Sequence, residues 1–227
     1  MINHLAFIMD GNRRWAKKRS LVPWKGHQKG SETAENIIKY CIDKNIAHLS
    51  LYTFSLENFK RPNVEKHYLL KLILSLCTDS SDTFVKHNVC VKFVGDMARF
   101  SKDIQRACAE LEDKTSSCSQ LSLYILLGYG GTQDILHGVN QIIKDAHKYK
   151  DKTISYDDFT QYMWSKNIPP IDLIIRTGGF QRISNFLLLQ SAYSELYFTD
   201  CLWPDLTDTE IDKALSHFNA QKRNFGS

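Results

Sequence analysis

The chain lacks most of the devices by which a sequence announces its chemistry. Its six cysteines (Cys41, Cys77, Cys90, Cys108, Cys118 and Cys201) are scattered, with no C-x-x-C pair. That excludes a zinc ribbon or a disulfide-framed module and fits reduced, mostly buried thiols in a cytoplasmic setting. No apolar run approaches the ~20 residues of a membrane span. The apolar stretch after Met1 is short, interrupted by His4 and without a basic lead, so no secretory signal is read. There is no G-x-x-x-x-G-K-[ST], and "GYGG" at 128–131 does not complete G-x-G-x-x-G. Neither G-x-S-x-G nor H-E-x-x-H occurs. A formal net charge of +4 permits an anionic ligand or surface without demanding nucleic acid.

What is present reads as one domain over 1–227, long enough to bury a real core. Strand-like runs fall at 4–9, 48–54, 90–95, 121–131, 172–179 and 195–200. Helical stripes lie between them: Ala34, Ile37, Ile38, Cys41 and Ile42; Ile104, Ala107, Cys108 and Leu111; Ile135, Val139, Ile142, Ile143 and Ala146. Thr207 and Glu210 have the spacing of a capping box ahead of a last helix. The alternation predicts an α/β fold, a mostly parallel six-stranded sheet covered by helices. "YLLKLILSLC" (68–77) is apolar almost all the way round, which suits a central core helix or a helix with one face on an apolar cavity.

Ligands of an open parallel sheet bind beyond the carboxyl ends of its strands. Asp10, Asn12, Arg13 and Arg14 follow the first strand; Ser55, Glu57, Asn58 and Arg61 follow the second; Arg176, Gln181, Arg182 and Ser184 come with the fifth. Three segments thus bring arginines and small polar groups to one edge, the composition of a phosphate site. Arginines in a first helical turn are disfavoured by the helix dipole unless an anion sits there. Asp10 is then either the cap of that helix or the ligand of a cation accompanying the anion. The basic run "RRWAKKR" (13–19) alone would also suit nucleic acid, but that leaves Arg176, Arg182 and Ser184 without a role.

"HLAFIMDGNRRWAKK", "GHQKG", "LSLYTFSLENFKRP", "LGYGG" and "DLIIRTGGFQRISNFLLLQSAYSELYFTDCLWPD" resemble, in order, the blocks of the cis-prenyltransferases of the bacterial undecaprenyl diphosphate synthase type, from about His4 to Gly226. The D-D-x-x-D motif of the trans-type synthases is absent, since "DDFTQ" (157–161) fails at its last position. The resemblance implies condensation of isopentenyl diphosphate with an allylic diphosphate, typically farnesyl diphosphate. It also implies Mg²⁺, a homodimer, an apolar tunnel for the growing chain and a long cis-polyprenyl product. Peripheral contact with a membrane for product release goes with such a product.

Roles carry over by position. Asp10 is implied as the catalytic aspartate and a Mg²⁺ ligand, with Glu195 as the second carboxylate. Gly11, Asn12, Arg13, Arg14, Trp15 and His27 are implied around the allylic diphosphate. Ser55, Leu56, Glu57, Phe59 and Arg61 match the substrate-contacting block, and Asn58 the residue assisting proton removal. An amide is a poor base, so Asn58 is read as an orienting group. Arg176, Arg182, Ile183 and Ser184 are implied for isopentenyl diphosphate, and "KRNFG" (222–226) loosely matches a C-terminal segment near the dimer's active sites. The chain departs from the pattern at Pro23, where an arginine is usual, and at Phe180 and Gln181, where a glutamate and a histidine are usual. Competing expectations are a short or branched product, or a non-catalytic partner subunit of the same fold; the presence of Asp10 speaks against the latter.

Overall fold

The computed structural model describes residues 2–150 and 152–221, which leaves the "KRNFG" segment outside the described residues. Six strands form one sheet: β1 (His4–Ile8), β2 (His48–Ser55), β3 (Val89–Val94), β4 (Leu121–Tyr129), β5 (Leu173–Arg176) and β6 (Glu195–Phe198). Their order is β3-β4-β2-β1-β5-β6, and all five pairings are parallel. Every predicted strand is found. β1 is buried at all five positions, as a central parallel strand covered on both faces requires. Edge strand β6 is only partly covered. β4 stops at Tyr129, two residues short of its predicted end, because Gly130 caps the next helix. β5 stops at Arg176, and Gly178 and Gly179 then turn the chain at φ 85° and 78°.

The helices are α1 (Asn12–Lys18), α2 (Pro23–Asp43), α3 (Asn63–Asp79), α4 (Ser81–Lys86), α5 (Lys102–Lys114), α6 (Gly131–Lys144), α7 (Tyr156–Thr160) and α8 (Asp208–Ala220). α2 begins well before its apolar stripe. Its first half packs through Gly26 and Gly30, where an added Cβ would lie 2.0 Å from the Asn12 carbonyl oxygen and 2.8 Å from the Trp203 ring. A contact made by missing side chains leaves no hydrophobic period to read. Pro23 occupies the first turn of α2, where its absent N–H costs nothing.

Two helix expectations are corrected. In α6 the buried face is Gly131, Asp134, Gly138 and Ile142, while Leu136, Val139 and Ile143 face outward. The apolar period there marks a surface stripe. At α8 the Thr207 side chain makes no capping hydrogen bond, and Glu210 pairs with Lys213 instead. Four cysteines are buried, two partly so, and all six are free thiols.

α3 satisfies both readings of its all-round apolar sequence. Leu69, Leu72, Ile73 and Leu76 line a cavity, while Leu70 and Leu74 pack against the core and Cys77 meets Cys108 of α5 at 3.9 Å between sulfurs. The cavity, about 330 Å³, lies between this helix, α2 and the face of the sheet bearing Leu51, Phe54, Leu123 and Ile125. It opens at the carboxyl edge of the strands.

Candidate active site

β1 delivers Asp10 to that edge, where the backbone pins it. Its N–H donates to Thr177 Oγ1 at 3.0 Å, and its carbonyl accepts from the Thr177 hydroxyl at 2.7 Å and from the Trp203 N–H at 3.0 Å. Both carboxylate oxygens meet guanidinium groups. Arg14 Nη2 donates to Oδ1 at 3.0 Å and Arg176 Nη2 to Oδ2 at 2.9 Å. Asp10 is therefore not the cap of α1; that position falls to Gly11, at φ 116°.

Arg14 also donates to the Gly178 carbonyl at 2.6 Å. A Cβ at Gly178 would stand 2.4 Å from that guanidinium, so glycine is needed there for space as well as for its positive φ. Arg176 is almost wholly buried; its Nη1 donates to the Arg182 carbonyl at 2.5 Å and to Ser184 Oγ at 2.7 Å, and its Nε has no partner among the described residues. Ser184, Asn185 and Leu187 all take positive φ. Such backbone persists only where surroundings impose it. Here Asn185 supplies the restraint at the start of α6: its Oδ1 accepts from the Thr132 N–H at 2.8 Å and its backbone carbonyl from the Gly131 N–H at 2.7 Å.

A second cluster forms on the other side of the mouth around Glu65 of α3. Its carboxylate accepts from Arg61 at 2.9 Å and from His27 Nε2 at 3.2 Å, and lies 3.7 Å from Arg13 Nε. Burial pulls the His27 pKa down, against the opposing pull of Glu65. Neutral His27 donates its Nε2 hydrogen to the carboxylate. The cations in the first turn of α1 are thus balanced by one carboxylate just before the helix, Asp10, and one brought from α3, Glu65.

Of the residues expected at the site, Asp10, Asn12, His27, Ser55, Asn58, Arg61, Arg176 and Ser184 line this same cavity. Asn58 Oδ1 accepts from the Ser55 N–H at 3.2 Å, so the two hold the turn at 56–60 together. Others stand behind or beside it. Gly11 packs on Leu202, and Trp15 donates to Asp205 at 2.7 Å. Phe59 packs among Phe54 and Phe100, Ile183 against the far face of the sheet, and Glu57 is exposed. Gln181 is exposed as well, and Lys25 bonds Gln28 at 3.0 Å. Glu195 is not brought to Asp10 within this chain. It is in register with Leu173, three residues before the end of β6 that faces Arg176, about 10 Å back along the strand.

Three residues were not expected: Glu65, Thr177 and Asn185. Only Glu65 left a sequence signal, its i,i+4 spacing from Arg61 at the start of a helix.

The comparisons agree with this geometry. A family described as "Putative undecaprenyl diphosphate synthase" matches residues 8–226. The chain is 42% identical over 227 residues to the (2E,6E)-farnesyl-diphosphate-specific ditrans,polycis-undecaprenyl-diphosphate synthase of Buchnera aphidicola, covering 99% of this chain and 91% of that one. It is 40% identical to the isoprenyl transferase of Thermotoga maritima, over 98% of this chain and 96% of the relative. Among solved structures, lavandulyl diphosphate synthase from Lavandula x intermedia, in complex with dimethylallyl diphosphate, superposes with a TM-score of 0.95 at 28% identity, covering 100% of this chain and 98% of that one. A protein from Campylobacter jejuni described as a probable undecaprenyl diphosphate synthase gives 0.82 at 30% identity, over 100% and 99%. The chain belongs to the undecaprenyl diphosphate synthase family of prenyltransferases.

Proposed function

We propose that this chain, as one catalytic domain, condenses isopentenyl diphosphate with an allylic diphosphate, farnesyl diphosphate in the first instance, to give a long cis-polyprenyl diphosphate of the undecaprenyl type. The observation that carries this is the joining of a guanidinium-lined mouth to an apolar cavity walled by α3 and the sheet. Charged head groups and an isoprenoid tail need those two environments side by side.

In this reading Asn12, Arg14 and the start of α1 hold the allylic diphosphate, with His27 and Arg61 at the rim. Arg176, Arg182 and Ser184 hold isopentenyl diphosphate. Ser55 and Asn58 orient the condensing unit, whose proton leaves to the departing diphosphate. Gly11, Trp15, Leu56, Glu57, Phe59 and Ile183 shape the segments that carry these groups. Arg13 acts through Glu65.

Mg²⁺ takes oxygen ligands, keeps several waters and is commonly bound through one or two carboxylates plus substrate phosphates. Among the described residues no group of three His, Cys, Asp or Glu forms a protein cage for a metal. Asp10 offers a carboxylate at the mouth, and the buried Asn12 Oδ1 has no partner among the described residues. That sparse, all-oxygen set fits Mg²⁺ carried largely by diphosphate, with Asp10 as the protein ligand and Glu195 outside its reach in one chain. When bound, Mg²⁺ supplies charge neutralisation on the leaving diphosphate.

The outward stripe Leu136, Val139 and Ile143 is an apolar surface suited to a second copy of the chain, the proposed homodimer. Among the described residues no helix is long and apolar enough to cross a membrane. Exposed Leu21 and Val22, beside Trp24 and the basic Lys17, Lys18 and Lys25, suit peripheral contact with an anionic bilayer from the cytoplasmic side.

Incorporation of radiolabelled isopentenyl diphosphate, primed with farnesyl diphosphate in Mg²⁺ and resolved by chain length, tests the reading. Long product abolished by chelation is expected. No incorporation with any allylic primer would favour a partner-dependent or non-catalytic subunit.

A further inference from the structure

Phe180 stands where the family pattern carries an acid, and its ring is 42% exposed rather than packed in the core. It lies between two guanidinium groups. The ring centroid is 4.8 Å from Arg14 Cζ and 4.4 Å from Arg182 Cζ, both within cation–π reach. In the function proposed above, on which this inference rests, those arginines serve different diphosphates.

The contacts close into a loop. Arg14 bonds Asp10, Asp10 bonds Arg176, Arg176 bonds the Arg182 carbonyl, and the Arg182 guanidinium returns to Arg14 through the Phe180 ring. Among the described residues Arg182 has no carboxylate partner. Its side chain is exposed, and the ring is the contact that holds its charged end. The positive φ of Gly178 and Gly179, just before Phe180, turns the chain to place the ring there.

A carboxylate at this position would hold the same guanidinium groups by cancelling part of their charge. An aromatic face holds them while leaving their N–H donors and their charge for the ligand. We propose that Phe180 is a positioning residue that presents Arg14 and Arg182 together to the two diphosphates, so that one side chain sets the affinity of both subsites.

The test uses the full chain with Phe180→Met, which keeps bulk without the ring, and Phe180→Trp, which keeps the ring. Calorimetry with inorganic pyrophosphate and Mg²⁺ reads the subsites without turnover, and steady-state kinetics read each substrate. For Phe180→Met, pyrophosphate affinity is expected to fall and both KM values to rise about three- to tenfold, the scale of one lost cation–π contact. kcat should stay within about twofold and the thermal midpoint should not move. Phe180→Trp should match the parent. A Met variant equal to the parent, or one that raises only one KM, overturns the proposal. If the parent chain shows no turnover while pyrophosphate affinity still falls in the Met variant alone, the functional reading fails and the role of Phe180 stands.

Discussion

Asp10 and Asp134, two of the aspartates that follow strands in this molecule, live in opposite environments. Asp10, after β1, is clasped by two guanidinium groups and lines the cavity. Asp134, in the first turn of α6 beyond β4, is fully buried and, among the described residues, meets no cation. It accepts from the Tyr129 hydroxyl at 2.9 Å, the Ser165 hydroxyl at 2.5 Å and the Trp164 N–H at 2.7 Å. Burial pushes its pKa up, against the pull of those hydrogen bonds. One carboxylate is held between two arginines and lines the cavity. The other is a sealed fastener joining α6 to the segment after α7. His4, at the opposite end of β1 from Asp10, is sealed too, with Nδ1 3.0 Å from the Pro169 carbonyl and Nε2 2.9 Å from Ser50 Oγ. The carbonyl fixes the tautomer: Nδ1–H donates and Nε2 accepts from the serine.

The contrast can be broken at either end. Asp10→Ala should lower turnover about 10³-fold, the scale of removing charge handling from a transition state, and should also lower the thermal midpoint, because the buried Arg176 guanidinium loses its carboxylate. Near-normal turnover would remove Asp10 from the mechanism. Asp134→Ala should do the reverse in its main effect. It leaves two hydroxyls and an N–H without an acceptor, which costs about 3 kcal/mol, read as a lower urea midpoint. An unchanged midpoint would show that water replaces the carboxylate.

A third, graded effect concerns pH. Burial lowers the His4 pKa to about 4, so between that value and the ordinary 6.5 the unfolded chain binds the extra proton. Stability therefore falls on acidification through this window, by up to about 3 kcal/mol. The lowered pKa values of His27 and His48 act in the same direction. Asp134 opposes them, because a raised carboxylate pKa favours the folded state at acid pH. Urea midpoints from pH 7 to pH 4.5 should decline, less steeply in His4→Gln and more steeply in Asp134→Asn. Equal slopes in all three proteins would sink the assignment.

Much of the fold was legible because buried parallel strands are written as short apolar runs, and six such runs became six strands. Periodicity misled where contacts are not made by large apolar side chains. The first half of α2 packs through glycines, and the stripe of α6 is exposed although its sequence reads as a core face. At the site, Asp10, Arg14, Arg176 and Ser184 could be placed at one sheet edge from topology alone. Thr177, which fastens the Asp10 backbone, and Asn185, which ties the Ser184 loop to α6, carry no local signal. Their partners are 167 and about 50 positions away in the chain.

By itself, then, the sequence determined the alternation of strands and helices, the edge of the sheet where the arginines gather and the residue types that meet there. Those follow from local periodicity and from the handed, parallel connections that periodicity imposes. Only the tertiary structure decided which charges pair, that Glu195 stands a strand's length from Asp10, and that Phe180 lies between two arginines. Such pairings depend on side chains meeting across distant segments, where a shift of one residue in register exchanges one partner for another.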